Sequence, residues 1–166
     1  MNPLAPGSPP TLRVVLLEPE IPPNTGNVAR LCAAARLPLH LVEPLGFRLD
    51  SATLKRGGMD YWEHVAWTRW PSWIDFVRHL DPNDRLWFVE QGGPRRYDQA
   101  EFRRGDWLVF GRETAGLPSA LLEAHRERWL HIPMANPAAR SLNLSNCVAL
   151  VTFEALRQLG FPGEPA

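Results

Sequence analysis

Short apolar runs at Leu12 to Leu17, Leu39 to Val42, Arg85 to Val89, Trp107 to Phe110 and Trp129 to Ile132 recur along this chain, separated by helical spacing or by Gly and Pro turns. Runs that are apolar at nearly every position, rather than at every second one, suit strands covered on both faces. Their alternation with helices predicts an α/β fold: a mainly parallel sheet with helices on both faces. Ligands of such sheets gather beyond the carboxyl ends of the strands, so the loops after each run are where chemistry is expected.

The helical stretches are legible in the same way. Asn24 is placed to cap a helix in which Val28, Leu31, Cys32 and Ala35 recur at helical spacing. Between Pro71 and Leu80, residues Trp73, Ile74, Val77 and Leu80 share one face. A last helix from about Leu144 to Leu159 stops at Gly160 and is apolar nearly all round from Cys147 through Val151. One face covers the sheet. Leaving the other in water costs about 25 cal/mol per Å², which predicts a homodimer through this C-terminal helix, the alternative being a loop of the same chain laid over that face.

With 166 residues, 45% of them apolar, the chain suits one core, so residues 11–166 are expected to form a single domain behind a flexible lead at 1–10. The 18 basic and 18 acidic residues cancel, so no long-range field draws in a polyanion and any nucleic-acid contact is local. All the basic residues but Lys55 are Arg, which suits phosphate and equally suits a GC-rich genome. Cys32 and Cys147 lack zinc spacing, so no metal is expected and free thiols in a reducing compartment are. No basic-then-apolar leader is visible, nor the roughly 18 apolar residues of a membrane helix; the expected location is the cytoplasm.

Three loops concentrate residues that bring backbone to a ligand. Pro22-Pro23-Asn24-Thr25-Gly26-Asn27-Val28-Ala29-Arg30 opens the first helix; its prolines stiffen the approach and Gly26 admits close contact. Asn24 reads as a cap or as a ligand, and Arg30 is expected one turn into the helix, near the strand ends. Leu108 to Pro118 breaks a strand with Gly111 and Gly116 but matches neither GxGxxG nor GxxxxGK[ST], which counts against dinucleotide and phosphate-loop sites. Taken alone, these are also ordinary turn glycines. In the third loop, Ile132-Pro133-Met134 precedes Arg140-Ser141-Leu142-Asn143-Leu144-Ser145-Asn146, where Asn143 or Ser145 caps the last helix and the other polar side chains exceed that need.

In this order, NTGNVAR, LVFGRETAGLP and IPM with RSLNLSN resemble the three motifs of the SPOUT superfamily of RNA methyltransferases. LLEPEIPPNTGNVARLCAAARLPLHLVEPLGF, GGMDYWEH and ALRQLGFPG extend the resemblance, from about Ser8 onward, to the small bacterial tRNA wobble-position 2′-O-methyltransferases. The resemblance implies a C-terminal trefoil knot, which general topology rules would not propose. It implies S-adenosylmethionine held bent in the knot loops, largely by backbone, and methyl transfer to the ribose 2′-hydroxyl of the wobble pyrimidine of tRNA. It also implies a dimer that sets the first motif of one subunit beside the cofactor of the other.

Position by position, the implied cofactor contacts are Val89, Gly111, Glu113, Ile132, Ser141 and Leu142. Without the family, Val89 and Ile132 read as core. Arg30 matches the catalytic arginine. A guanidinium keeps its proton above roughly pH 12, so Arg30 is expected to position phosphate and stabilise an oxyanion, with Asn24 and Ser141 orienting it or the hydroxyl.

Arg56, Tyr61 and Arg140 are candidate RNA contacts. Trp62 and Trp67 are further stacking candidates, and Arg95, Arg96, Arg103 and Arg104 are further phosphate candidates. Packed aromatics and solvated arginines are the plainer reading of these residues.

Two departures from the family pattern stand out. Val89-Glu90-Gln91-Gly92-Gly93 lies where relatives commonly carry Thr-Thr-Lys-Gly, and Arg112 replaces a Pro. Both bear on RNA docking more than on a cofactor held by backbone. Competing functions are 2′-O-methylation of another tRNA or rRNA nucleotide, a knotted RNA-binding protein without catalysis, and an unrelated nucleotide-binding α/β protein.

Overall fold

In the computed structural model, which describes residues 10–49 and 62–164, alternate residues of β1 (Leu12–Leu17) feed two separate cores. Leu12, Val14 and Leu16 pack against Val28 and Cys32 of α1 (Pro22–Ala35) and against Val148, Val151 and Ala155 of α4 (Leu144–Gln158). Val15 and Leu17 meet Phe76 of α2 (Trp73–His79) and Leu122 of α3 (Ser119–Ala124) on the other face. Burial on both sides is why β1 is apolar at nearly every position. Truncating a side chain such as the fully buried Leu16 to Ala costs about 2 to 5 kcal/mol.

Among the described residues the remaining strands are β2 (Leu39–Val42), β3 (Trp67–Trp70), β4 (Leu86–Val89), β5 (Arg95–Arg96), β6 (Asp106–Phe110) and β7 (Trp129–His131). They form one seven-stranded sheet in the order β3-β2-β1-β6-β4-β7-β5, with every neighbouring pair parallel. The expected strands are all present, and both edge strands are additions to that expectation.

β7 lies between β4 and β5, two strands that the 90–94 segment already joins. That segment passes directly against β7 at Gly93, where a Cβ would stand 2.8 Å from the carbonyl carbon of Leu130. Only glycine lets the two backbones come so close.

Two expectations are corrected. The helix at 73–79 buries Phe76, whereas Ile74 and Val77 are 61% and 42% exposed, so the anticipated apolar face is only partly covered. Ser72 caps this helix, its hydroxyl accepting from the Asp75 amide at 3.1 Å. The first helix begins at Pro22, a favoured first-turn residue, so Asn24 lies inside it and is not its cap.

The final helix matches expectation: Asn143 caps it, accepting from the Ser145 amide at 2.9 Å, and Gly160 follows with φ of 74°. Leu150 and Phe153 on this helix, and Phe161 just after it, are 41%, 49% and 40% exposed. None of the helices among the described residues is long and apolar enough to cross a membrane, and no His, Cys, Asp or Glu cluster there suits a metal ion.

Candidate active site

The carboxyl ends of β4, β6 and β7 open onto a cavity of about 440 Å³. Its volume falls in the range of small-molecule sites. Val89, Phe110 and Ile132 line it from the strand ends, and Leu142 and Leu144 from the approach to α4. The 111–116 turn and Ser141 supply backbone and small polar groups.

Hydrogen bonds among side chains fix the three loops to one another. Asn143 Nδ2 donates to Asn24 Oδ1 at 2.9 Å, and Asn24 Nδ2 donates to Glu113 Oε1 at 3.1 Å. The Glu113 carboxylate also accepts the backbone amides of Glu20 and Ile21, at 2.8 and 3.1 Å. These amides lie at the entrance to α1, whose own N-cap residue, Ile21, offers no side-chain cap. Glu113 therefore serves as a cap from a distant loop, favoured by the positive end of the helix dipole.

Glu20 returns the arrangement. Its carboxylate accepts the Thr114 hydroxyl at 2.8 Å and the Thr114 amide at 3.0 Å, and these bonds hold its pKa below the ordinary glutamate value. Arg112, the departure from the family's Pro, pairs with Glu18 at 3.0 Å. The second loop is thus tied to the first at Arg112, Glu113 and Thr114.

Tight backbone packing shapes the cavity wall. A Cβ on Gly111 would sit 2.3 Å from the Gly116 carbonyl carbon, so the turn closes on itself only with glycine there. Gly116 has φ of 64°, and a Cβ on it would sit 2.1 Å from Glu90 Oε2. Glu90 accepts the Gln91 and Leu117 amides, each at 3.0 Å, and Gln91 Nε2 reaches the Ile132 carbonyl at 3.3 Å. Cys147, partly buried, also lines the cavity. Burial, with a contribution from the charge of Glu90, pushes its thiol up to about 11.

All six positions singled out for a cofactor, Val89, Gly111, Glu113, Ile132, Ser141 and Leu142, line this one cavity, together with Asn24 and Arg140. Arg30 does not line it: the residue lies on the exposed side of α1, two turns beyond Pro22 and not one. Arg56 and Tyr61 lie outside the described residues. Trp62 and Trp67 pack against each other, their rings tilted by 46° with centroids 4.7 Å apart. Arg95 and Arg96 form the outer edge strand, where Arg96 pairs with Asp98, and Arg103 and Arg104 are exposed near the start of β6.

Sequence reasoning missed the Glu20–Thr114 clasp, which no local spacing rule reveals. It noted Glu90 only as a departure. A bulky acid at the end of a buried strand beside a glycine loop was the available signal.

Comparison with known proteins agrees with this geometry. Residues 11–153 match the model of the SpoU rRNA Methylase family. A tRNA (cytidine(34)-2′-O)-methyltransferase of Burkholderia cenocepacia is 52% identical over 153 residues, spanning 90% of this chain and 97% of that protein. A solved structure described as giving structural insights into the 2-OH methylation of C/U34 on tRNA superposes with a TM-score of 0.85 at 46% identity, covering 92% of this chain and 99% of its own. The SpoU methyltransferase AviRb from Streptomyces viridochromogenes, solved in complex with the cofactor AdoMet, gives a TM-score of 0.75 at 25% identity, over 93% of this chain and 62% of its own. This chain belongs to the SpoU methylase family.

Proposed function

We propose that this protein transfers a methyl group from S-adenosylmethionine to the ribose 2′-hydroxyl of the wobble pyrimidine in the tRNA anticodon loop, working in the cytoplasm as a homodimer. The observation that carries this reading is the single cavity into which the three family motifs converge, in a chain 52% identical to a cytidine-34 methyltransferase.

The cavity suits the cofactor. Val89, Ile132 and Leu142 offer apolar surface for a flat adenine, and the glycine-packed 111–116 turn exposes backbone to its polar edges. When bound, S-adenosylmethionine supplies an electrophilic methyl on a positively charged sulfur. The chain's own residues supply alignment, which contributes on the order of 7 to 11 kcal/mol in favourable systems. The Asn143–Asn24–Glu113 relay holds the loops in register before any ligand arrives.

Arg30 positions the target phosphate and stabilises the developing oxyanion; its proton, held above roughly pH 12, makes it a poor base. We read Arg30 as serving the cavity of the partner subunit, the arrangement that the family resemblance implies; its place outside the cavity of its own chain is consistent with that reading. The exposed Leu150, Phe153 and Phe161 surface is the apolar face that such a dimer buries. We further read residues 11–166 as one domain behind a short lead. We also read its carboxyl part as a trefoil knot, a reading supported by β7 entering between β4 and β5 beneath the segment that joins them.

The test is transfer of labelled methyl to bulk tRNA, followed by mapping of the modified nucleotide. Label at the ribose of nucleotide 34 is the expected result. Label on ribosomal RNA and none on tRNA rejects the substrate, and transfer to neither rejects the activity.

A further inference from the structure

Among the described residues, Glu90 is the one acidic side chain on the cavity wall that neither an ion pair nor the entrance of α1 explains. Of the other charged residues there, Glu113 is engaged by the Glu20 and Ile21 amides and by Asn24, Arg112 is paired with Glu18, and Arg140 lies on the exposed rim. Glu90 instead reaches across the gap between two loops. One oxygen accepts the amide of Gln91 and the other the amide of Leu117, each at 3.0 Å. This reach exists only because Gly116 has no side chain, since a Cβ there would stand 2.1 Å from Glu90 Oε2.

Two amide bonds leave acceptor capacity on a carboxylate, which offers about four lone-pair sites. The side chain is half-buried, so its charge is screened less than a surface charge is. That charge is felt across the cavity, where it adds to the burial that suppresses ionisation of Cys147.

We propose that Glu90 is a positioning residue with a second role in selectivity: it clamps the 111–117 loop to the end of β4, and its charge makes the cavity prefer a cationic ligand over its neutral counterpart. The inference rests on the cofactor reading above. S-adenosylmethionine carries one net positive charge and its demethylated product, S-adenosylhomocysteine, carries none. The preference therefore favours loading of cofactor and release of product. Where the family pattern carries Thr, this chain would have a built-in relief from product inhibition.

Calorimetric titration of the full chain with both ligands tests the idea, comparing wild type with Glu90→Gln, which keeps the shape and removes the charge. Glu90→Thr, the residue of the family pattern, is a second neutral variant should the first fold poorly. Expected is an approximately tenfold weaker Kd for S-adenosylmethionine and at most about a twofold change for S-adenosylhomocysteine. Equal weakening for both ligands reduces Glu90 to a structural clamp and overturns the selectivity, and no weakening for either overturns the whole inference. If the wild type binds neither ligand, the cofactor reading falls and this inference with it.

Discussion

Asn24 donates its side-chain amide to Glu113 at 3.1 Å across 89 residues of sequence, while its carbonyl oxygen accepts from Asn143. An amide is needed at this point because it must donate on one side and accept on the other. Asn24→Ala should cost about 1 to 3 kcal/mol. Asn24→Asp should cost more, because it sets a carboxylate against that of Glu113 at a position only 6% exposed. Thermal unfolding of the two variants checks the order, and an Asp variant as stable as wild type rejects the relay.

Arg30 is expected to separate binding from transfer. Arg30→Ala should titrate with S-adenosylmethionine as the wild type does and lose at least about a hundredfold in methyl transfer, the scale on which removal of an oxyanion-stabilising donor acts. Most of the activity surviving in that variant would remove Arg30 from the reaction.

The exposed apolar face of α4 gives a prediction about assembly. Phe153 is 49% exposed, so Phe153→Asp should fold while placing an unpaired charge in the subunit contact. Sedimentation at micromolar concentration should find the wild type dimeric and the variant monomeric, and the monomer should lose transfer because Arg30 no longer reaches a partner's cavity. A monomeric wild type ends the dimer model.

His40 predicts how stability responds to acid. It is buried between Trp70 and Trp107, accepts the indole N–H of Trp70 at 3.1 Å, and has its pKa lowered to about 4 by burial and by the nearby charges of Arg13 and His79. The unfolded chain binds this proton at about pH 6.5, the folded protein only near 4. Stability is therefore full above 6.5 and falls by up to about 3 kcal/mol as the pH drops from 6.5 towards 4. Urea midpoints between pH 7 and 5, above most carboxylate titration, should show that slope in the wild type and lose it in His40→Gln.

The strands most legible in the sequence were those buried on both faces. In β1 and β6, burial on both sides demands apolar residues throughout, and the pattern is direct. β3, with three of its four residues exposed, and β5, made of two exposed arginines, lie at the sheet edges, where one-sided covering removes the constraint that a sequence reader depends on. The motif residues were found through family resemblance, and the forces joining them were not. Asn24 looked like a helix cap because capping is judged locally, yet the capping carboxylate comes from Glu113 on the far side of the chain. Ile74 and Val77 satisfied a helical period without being buried, because period identifies a shared face and not what covers it.

β1 meets β2 soon after both are made, but its other neighbour begins at Asp106, which pairs with Leu12. A ribosome adding about 5 to 20 residues per second leaves roughly 5 to 20 s between the two strands. For that interval the nascent chain carries an apolar strand with one edge unpaired, and pairings this distant in sequence are slow to form. The stretch from Leu12 to Leu17 is where a chaperone has most to shield during synthesis.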